Sequence, residues 1–236
     1  MQVAKGLISH LQSHGLTDDI SLTFIEEVHG SNASFIISSL ICDALKNDAS
    51  VLFLTFHNPF QHYQQLCSKL GVNLNSPAYK SKIENISPLN SCIEENSSDE
   101  SVLQKISKET DDFFRKHRED KMYLIIDDIS YVLMLSSFQD CSRFVRYYVY
   151  QRSLYPNLKV VICSHTVRDD KESVTIANYI RSICKFIIKL TPLKSGLSSE
   201  VTGHMEIIRS RGFKSDVTNH KYLLNRKEIV LNPLVI

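Results

Sequence analysis

The most restrictive feature of this sequence is a short run, Val51–Phe56 (VLFLTF), that is apolar almost without interruption. A strand with one wet face alternates polar and apolar residues. A run apolar throughout must instead be covered on both faces, as in a parallel sheet sandwiched between helices. Two further runs read the same way, MYLIIDDIS at Met122–Ser130 and VVICSH at Val160–His165. Between them lie segments with apolar residues at helical spacing, such as Phe35, Ile36, Leu40, Ile41 and Leu45. Strands alternating with helices imply βαβ units and a parallel sheet.

The rest of the chain extends this pattern. Residues 1–15 predict a short helix, Ser21–Val28 a strand, and Phe60–Leu70 a helix that Gly71 ends. Residues 82–87 predict a third strand. The polar, acidic stretch 88–101 predicts an exposed loop. Helices are expected at about 101–118, 137–152 and 174–182, with a charged loop at 166–173. A strand in CKFIIKLTPL and a turn-rich link, KSGLSSEVTG, follow. HMEIIRSR and KYLLNRKEIVLNP then predict two antiparallel strands. The 236 residues suffice for one sizeable α/β domain and show no dividing linker. The expected fold is therefore a single domain spanning 1–236. It is α/β, with a mainly parallel central sheet flanked by helices and a C-terminal antiparallel hairpin, as in RecA-like nucleotide hydrolases.

A phosphate-binding loop of that fold class needs G-x-x-x-x-G-K-[ST] between the first strand and the next helix. Glycines let the backbone wrap phosphates, lysine neutralises them, and the hydroxyl holds magnesium. Here the position reads His29-Gly30-Ser31-Asn32-Ala33-Ser34, with one glycine and no lysine. The loop is absent, and the polar residues serve as a helix-capping turn. The fourth strand does keep its part of such a site: apolar Leu124, Ile125 and Ile126 lead to Asp127 and Asp128, a magnesium-holding pattern. Without the lysine, the pair reads as a relic of a nucleotide site. No nucleophile–base motif of another enzyme class occurs. The expectation is a non-enzyme without a cofactor.

Net charge is +1, so any basic surface must be local. Arg168 and Lys171, in the loop after the fifth strand, are RNA-binding candidates, although Asp169 and Asp170 weaken their field. Arg209 and Arg211 sit two apart in a late strand and so share one face. They are candidates for an in-trans contact with a neighbouring subunit's nucleotide, against a plain edge-strand role. The stretch Arg143–Pro156 interleaves basic and aromatic residues, and its rings Phe144, Tyr147, Tyr148 and Tyr150 suit packing better than base stacking. Six scattered cysteines contain no C-x-x-C pair, which argues for reduced thiols and against a zinc site. His10 and His14 could share a helix face, but no third ligand stands nearby in sequence, so they read as solvated. No metal is expected. The absence of a signal-type N-terminus or a run near the ~20 apolar residues of a membrane helix predicts a cytoplasmic address, with the nucleus as a second, and no membrane partner.

Three segments, in order, resemble the family of sixth subunits of the Elongator complex. They are Val51–Leu74 (VLFLTFHNPFQHYQQLCSKLGVNL), with its His62-Tyr63 and Lys69-Leu70-Gly71; Tyr123–Leu135 (YLIIDDISYVLML); and Gly203–Arg211 (GHMEIIRSR). The resemblance covers about a third of the chain and leaves residues 76–120 unmatched. It implies a RecA-like accessory subunit in a hetero-hexameric ring with Elongator subunits four and five. That ring binds tRNA, hydrolyses ATP and associates with the catalytic Elongator subcomplex, which modifies the wobble uridine (U34) towards its 5-carboxymethyl form. The alternative is a RecA-like recombination or repair paralogue acting as a scaffold.

Overall fold

The structure, a computed structural model, describes residues 3–87, 101–196, 198–212, 214–225 and 229–234. The first part of the chain runs α1 (Val3–Ser13), β1 (Leu22–Val28), α2 (Ser34–Lys46), β2 (Ser50–Thr55), α3 (Phe60–Lys69), α4 (Pro77–Lys80) and β3 (Ile83–Ile86). After the undescribed stretch come α5 (Val102–Lys116), β4 (Met122–Asp127), α6 (Ser130–Leu135), α7 (Phe138–Leu154), β5 (Leu158–Thr166), α8 (Lys171–Ile183) and β6 (Phe186–Pro192). The chain closes with β7 (Gly203–Arg211), β8 (Lys214–Leu224) and β9 (Ile229–Pro233).

Among the described residues, nine strands join one sheet in the order β3-β2-β4-β5-β1-β6-β7-β8-β9. Pairing is parallel from β3 through β6 and antiparallel from β6 onward. The apolar runs follow from this placement, because β2, β4, β5 and β1 are interior strands with helices on both faces. Val51, Phe53, Ile125 and Val161 pack with α1, α2 and α3 side chains such as Leu11, Ile36 and Tyr63. Their neighbours Leu52, Leu54, Leu124, Ile126 and Ile162 point the other way, to Phe113, Tyr148 and Ile176 of α5, α7 and α8. One domain-wide sheet thus separates two apolar layers.

Several boundaries depart from the sequence reading. β4 stops at Asp127, and Ser130–Leu135 turns into helix α6 instead of prolonging the strand. α8 starts at Lys171, because Asp170 accepts hydrogen bonds from the Glu172 and Ser173 backbone amides and caps the helix three residues earlier than expected. The charged loop accordingly shrinks to Val167–Asp170. The C-terminal hairpin is a three-stranded meander: the polar stretch Lys214–His220 belongs to β8, paired along its length with β7. That stretch lacks an apolar alternation because Lys214–Val217 faces solvent. Of the expected 88–101 loop, only Ser101 lies within the described residues, and it forms a capping box with Gln104 at the start of α5. Cys42, Cys67, Cys141, Cys163 and Cys184 are buried free thiols, while Cys92 lies outside the described residues.

The aromatic stretch on α7 divides by face. Phe144 and Tyr148 are buried in the second layer, Tyr147 is half-buried with its hydroxyl donating to Asp111, and Tyr150 is 61% exposed. Tyr148 is therefore a core residue. Tyr148→Ala should lower unfolding free energy by about 3–5 kcal/mol, as large-to-small aromatic truncations do. Chemical denaturation of the isolated chain measures this, and a loss under about 1 kcal/mol would contradict its core role.

Candidate functional site at the carboxyl edge of the sheet

Parallel α/β sheets bind ligands at the carboxyl ends of their strands, where loops leave the sheet. In this chain β1, β4 and β5 end side by side, because β5 pairs with both of the others. Their last residues bring Glu27, Asp127, Asp128 and His165 together. The peptide bond between Asp127 and Asp128 is cis.

The two aspartates have different partners. Tyr63 on α3 donates its hydroxyl to Asp127 Oδ2. Asp128 accepts from the Ser130 amide at 2.9 Å, the Ser130 hydroxyl at 2.8 Å and the His165 amide at 2.9 Å. Asp128 is therefore committed to holding the turn into α6 and the end of β5. Both are buried, at 4% exposure. Burial is the main cause that raises the Asp127 carboxyl to about 7, and the charges of Asp128 and Glu27 add to it. Asp128 is also raised by burial, against the pull of its hydrogen bonds. The Tyr63 phenol is pushed far upward, first by burial and then by Asp127, so it remains a donor.

Glu27, which the sequence reading passed over, decides the chemistry of the site. Its Oε2 accepts the Ala33 amide at 2.6 Å, at the N-terminus of α2. Its Oε1 lies 3.2 Å from His165 Nδ1, and His165 Nε2 is 3.2 Å from His29 Nδ1. Asn32 Oδ1 accepts the Ser34 amide at 2.8 Å. The His29 amide goes to the Thr166 carbonyl and the Ser31 amide to the Val28 carbonyl, both at 2.9 Å. A phosphate loop presents such amides, together with the positive end of the helix dipole, to a bound anion. Here the protein's own groups take them, the Glu27 and Asn32 side chains those of Ala33 and Ser34, and main-chain carbonyls those of His29 and Ser31. The connection from β1 to α2 is only His29–Ala33. Gly30 turns it at φ +90°, against Pro192. A phosphate placed there would meet Glu27 instead of a lysine.

The remaining sequence candidates separate by position. Arg168 and Lys171 are exposed at the same edge as the cluster, Lys171 as the first residue of α8. Arg209 lies at the other end of the sheet. It pairs with Phe186, the first residue of β6, so it flanks the strands' amino ends. There it covers Gly15, donates to Thr17 Oγ1 at 3.5 Å and approaches Asp19 at 4.0 Å. Arg211 forms a 3.1 Å ion pair with Asp216 on the adjacent strand. The structure does not bring either arginine to the aspartate cluster.

The solvated reading of His10 and His14 is corrected. His220 on β8 reaches both, and the three rings form one cluster. No sequence spacing could signal this, since His10 and His220 are 210 residues apart.

No family model matches the chain, and none of the curated proteins does. Solved structures do resemble it. An uncharacterized protein, PH0321, from Pyrococcus horikoshii, crystallised with an unknown peptide, superposes with a TM-score of 0.65 at 16% identity, over 91% of this chain and 92% of that one. A KaiC-like protein, PH0186, from the same hyperthermophilic archaeon gives 0.58 at 10% identity, over 90% and 89%. The chain has a RecA-like, KaiC-like fold.

The buried carboxyls give the site a pH signature. A carboxyl raised from its ordinary value to about 7 binds its proton more tightly folded than unfolded, so it favours the folded state at low pH. That contribution is complete below pH 4 and is lost as pH rises from about 4 to 7. Asp127→Asn keeps an acceptor for Tyr63 and removes the charge. It should be more stable than the wild type at pH 8, by a few kcal/mol at most, and should flatten the decline between pH 4 and 7. Urea midpoints across pH measure this. A variant less stable than the wild type at pH 8 would mean that the Asp127 charge stabilises the fold there.

Proposed function

We propose that this chain is a non-catalytic subunit of a RecA-like ring, of the type of Elongator's sixth subunit. It would assemble with subunits four and five and take part in tRNA binding for wobble-uridine modification. The observation that carries the non-catalytic half of this reading is Glu27 on the Ala33 amide, where a hydrolase would hold phosphate. The ring and tRNA half rests on the three segments similar to the Elongator family, two of which, Val51–Leu74 and Tyr123–Leu135, supply Tyr63, Asp127 and Asp128 to one cluster.

Two surface features support assembly and RNA contact. Met134 and Leu135, at the end of α6, are 79% and 44% exposed, an apolar surface beside the carboxyl edge that a neighbouring subunit would cover. Arg168 and Lys171 lie on that same edge, and no ion pair to either occurs among the described residues. On this reading they meet tRNA phosphates. Among the described residues no helix is long and apolar enough to cross a membrane.

Co-expression with subunits four and five should yield a hexamer with equal amounts of the three chains by native mass spectrometry. The isolated chain should show no ATP turnover. Recovery only as a monomer, or with recombinase-type partners, would reject the assignment. In the intact ring, Arg168→Ala with Lys171→Ala should weaken tRNA binding and flatten its salt dependence, by roughly one log–log unit for each phosphate that is no longer neutralised. An unchanged slope removes these residues from the RNA path. Met134→Asp should reduce ring yield while leaving the melting temperature of the isolated chain within a few degrees.

A further inference from the structure

His10 and His14 stand one turn apart on α1, so both rings project from one face of the helix. His220 meets them from β8, at the opposite end of the chain. One ligand nitrogen from each of the three lies within 4.8 Å of the others. His10 Nε2 and His220 Nε2 face one another at 3.4 Å. That is long for a nitrogen hydrogen bond, which clusters near 2.9–3.0 Å. Two nitrogens bound to one tetrahedral zinc at ~2.0–2.1 Å stand about 3.3–3.4 Å apart.

The protonation pattern leaves the lone pairs where an ion needs them. His14 Nδ1 lies 2.8 Å from the His10 carbonyl oxygen, which can only accept, so Nδ1 carries the proton and Nε2 keeps its lone pair. Ser13 Oγ, 3.1 Å from the same Nδ1, helps to hold the ring. This is the supporting hydrogen bond that metal-bound histidines usually make. His220 is 2% exposed, and its Nδ1 has no hydrogen-bond partner among the described residues. Thr218 Oγ1, 3.3 Å from His220 Nε2, adds a hydroxyl at the rim. Three imidazoles converging without a shared acceptor are poorly satisfied by one another and well satisfied by a cation.

We propose that His10, His14 and His220 form a three-histidine site for a divalent transition-metal ion of the zinc class, with water completing the coordination. An all-imidazole donor set selects zinc and its neighbours over magnesium or calcium, which require oxygen. The ion would join the first helix to the C-terminal meander and so close the chain's two ends against one core. The site shares no residue with the Glu27–Asp127 cluster, since His220 lies on β8, three strands along the sheet from β1, and it is independent of the ring assignment.

The experiment uses the full-length chain without a histidine tag, stripped with EDTA and re-equilibrated with zinc. Elemental analysis should find one zinc per chain, and zinc should raise the thermal midpoint. Cobalt(II) should give the intense visible bands of a tetrahedral site. His14→Gln, at a partly exposed position, should keep the wild-type circular dichroism, weaken zinc binding at least about tenfold and lose the zinc-dependent rise in midpoint. A wild-type chain without bound zinc would overturn the site. So would the pale spectrum of octahedral cobalt, or undiminished binding by His14→Gln. The wild-type stoichiometry and cobalt spectrum decide the matter by themselves should the variant fail to fold.

Discussion

Burial of the central strands on both faces is the constraint on which the rest of the structure depends. Because β1, β2, β4 and β5 lie between two apolar layers, most side chains along them are apolar. Polar groups are thereby displaced to the strand ends, and the parallel arrangement places several of those ends on one edge. The clustering of Glu27, Asp127, Asp128 and His165 is a consequence of that geometry. So are their raised carboxyls, since the same layers that cover the strands keep water from their last residues.

Within that frame, one side-chain contact occupies the place where nucleotide hydrolases of similar fold hold phosphate. The amino end of a helix that follows a strand is an anion site, by virtue of its unpaired amides and its dipole. Glu27 fills it from within the chain, and Asn32 takes the next amide. His165 Nδ1 then faces Glu27, and His29 faces the other nitrogen of His165. The site is closed by its own hydrogen bonds. An aspartate pair that elsewhere would organise magnesium instead anchors Tyr63 and the start of α6.

The two ends of the sheet carry different duties. The carboxyl edge presents the exposed Arg168 and Lys171 and the apolar end of α6. The amino edge is occupied by internal contacts: Arg209 lies across Gly15 and reaches Thr17 and Asp19, locking the turn after α1 to β7. This leaves the pair Arg209 and Arg211 engaged within the chain, each with an acidic partner.

The alternation of doubly buried strands with amphipathic helices was legible in the sequence, because burial on both faces writes itself directly into residue type. So was the missing phosphate loop, because a lysine that is absent from a motif needs no tertiary information to be noticed. The boundaries at Asp127 and Lys171 were less legible. They depend on what Asp128 and Asp170 hydrogen-bond to, and a local pattern does not specify a side chain's acceptor role. The polar half of β8 was invisible, since its membership in the sheet comes from pairing with β7 and not from its own composition. Glu27 read as one more strand residue until the turn back from β1 brought Ala33 to its carboxylate. The histidine cluster lay furthest from any sequence signal. Two of its members are neighbours on a helix, but the third is 210 residues from His10, and only the folding of the C-terminal meander against α1 closes that distance.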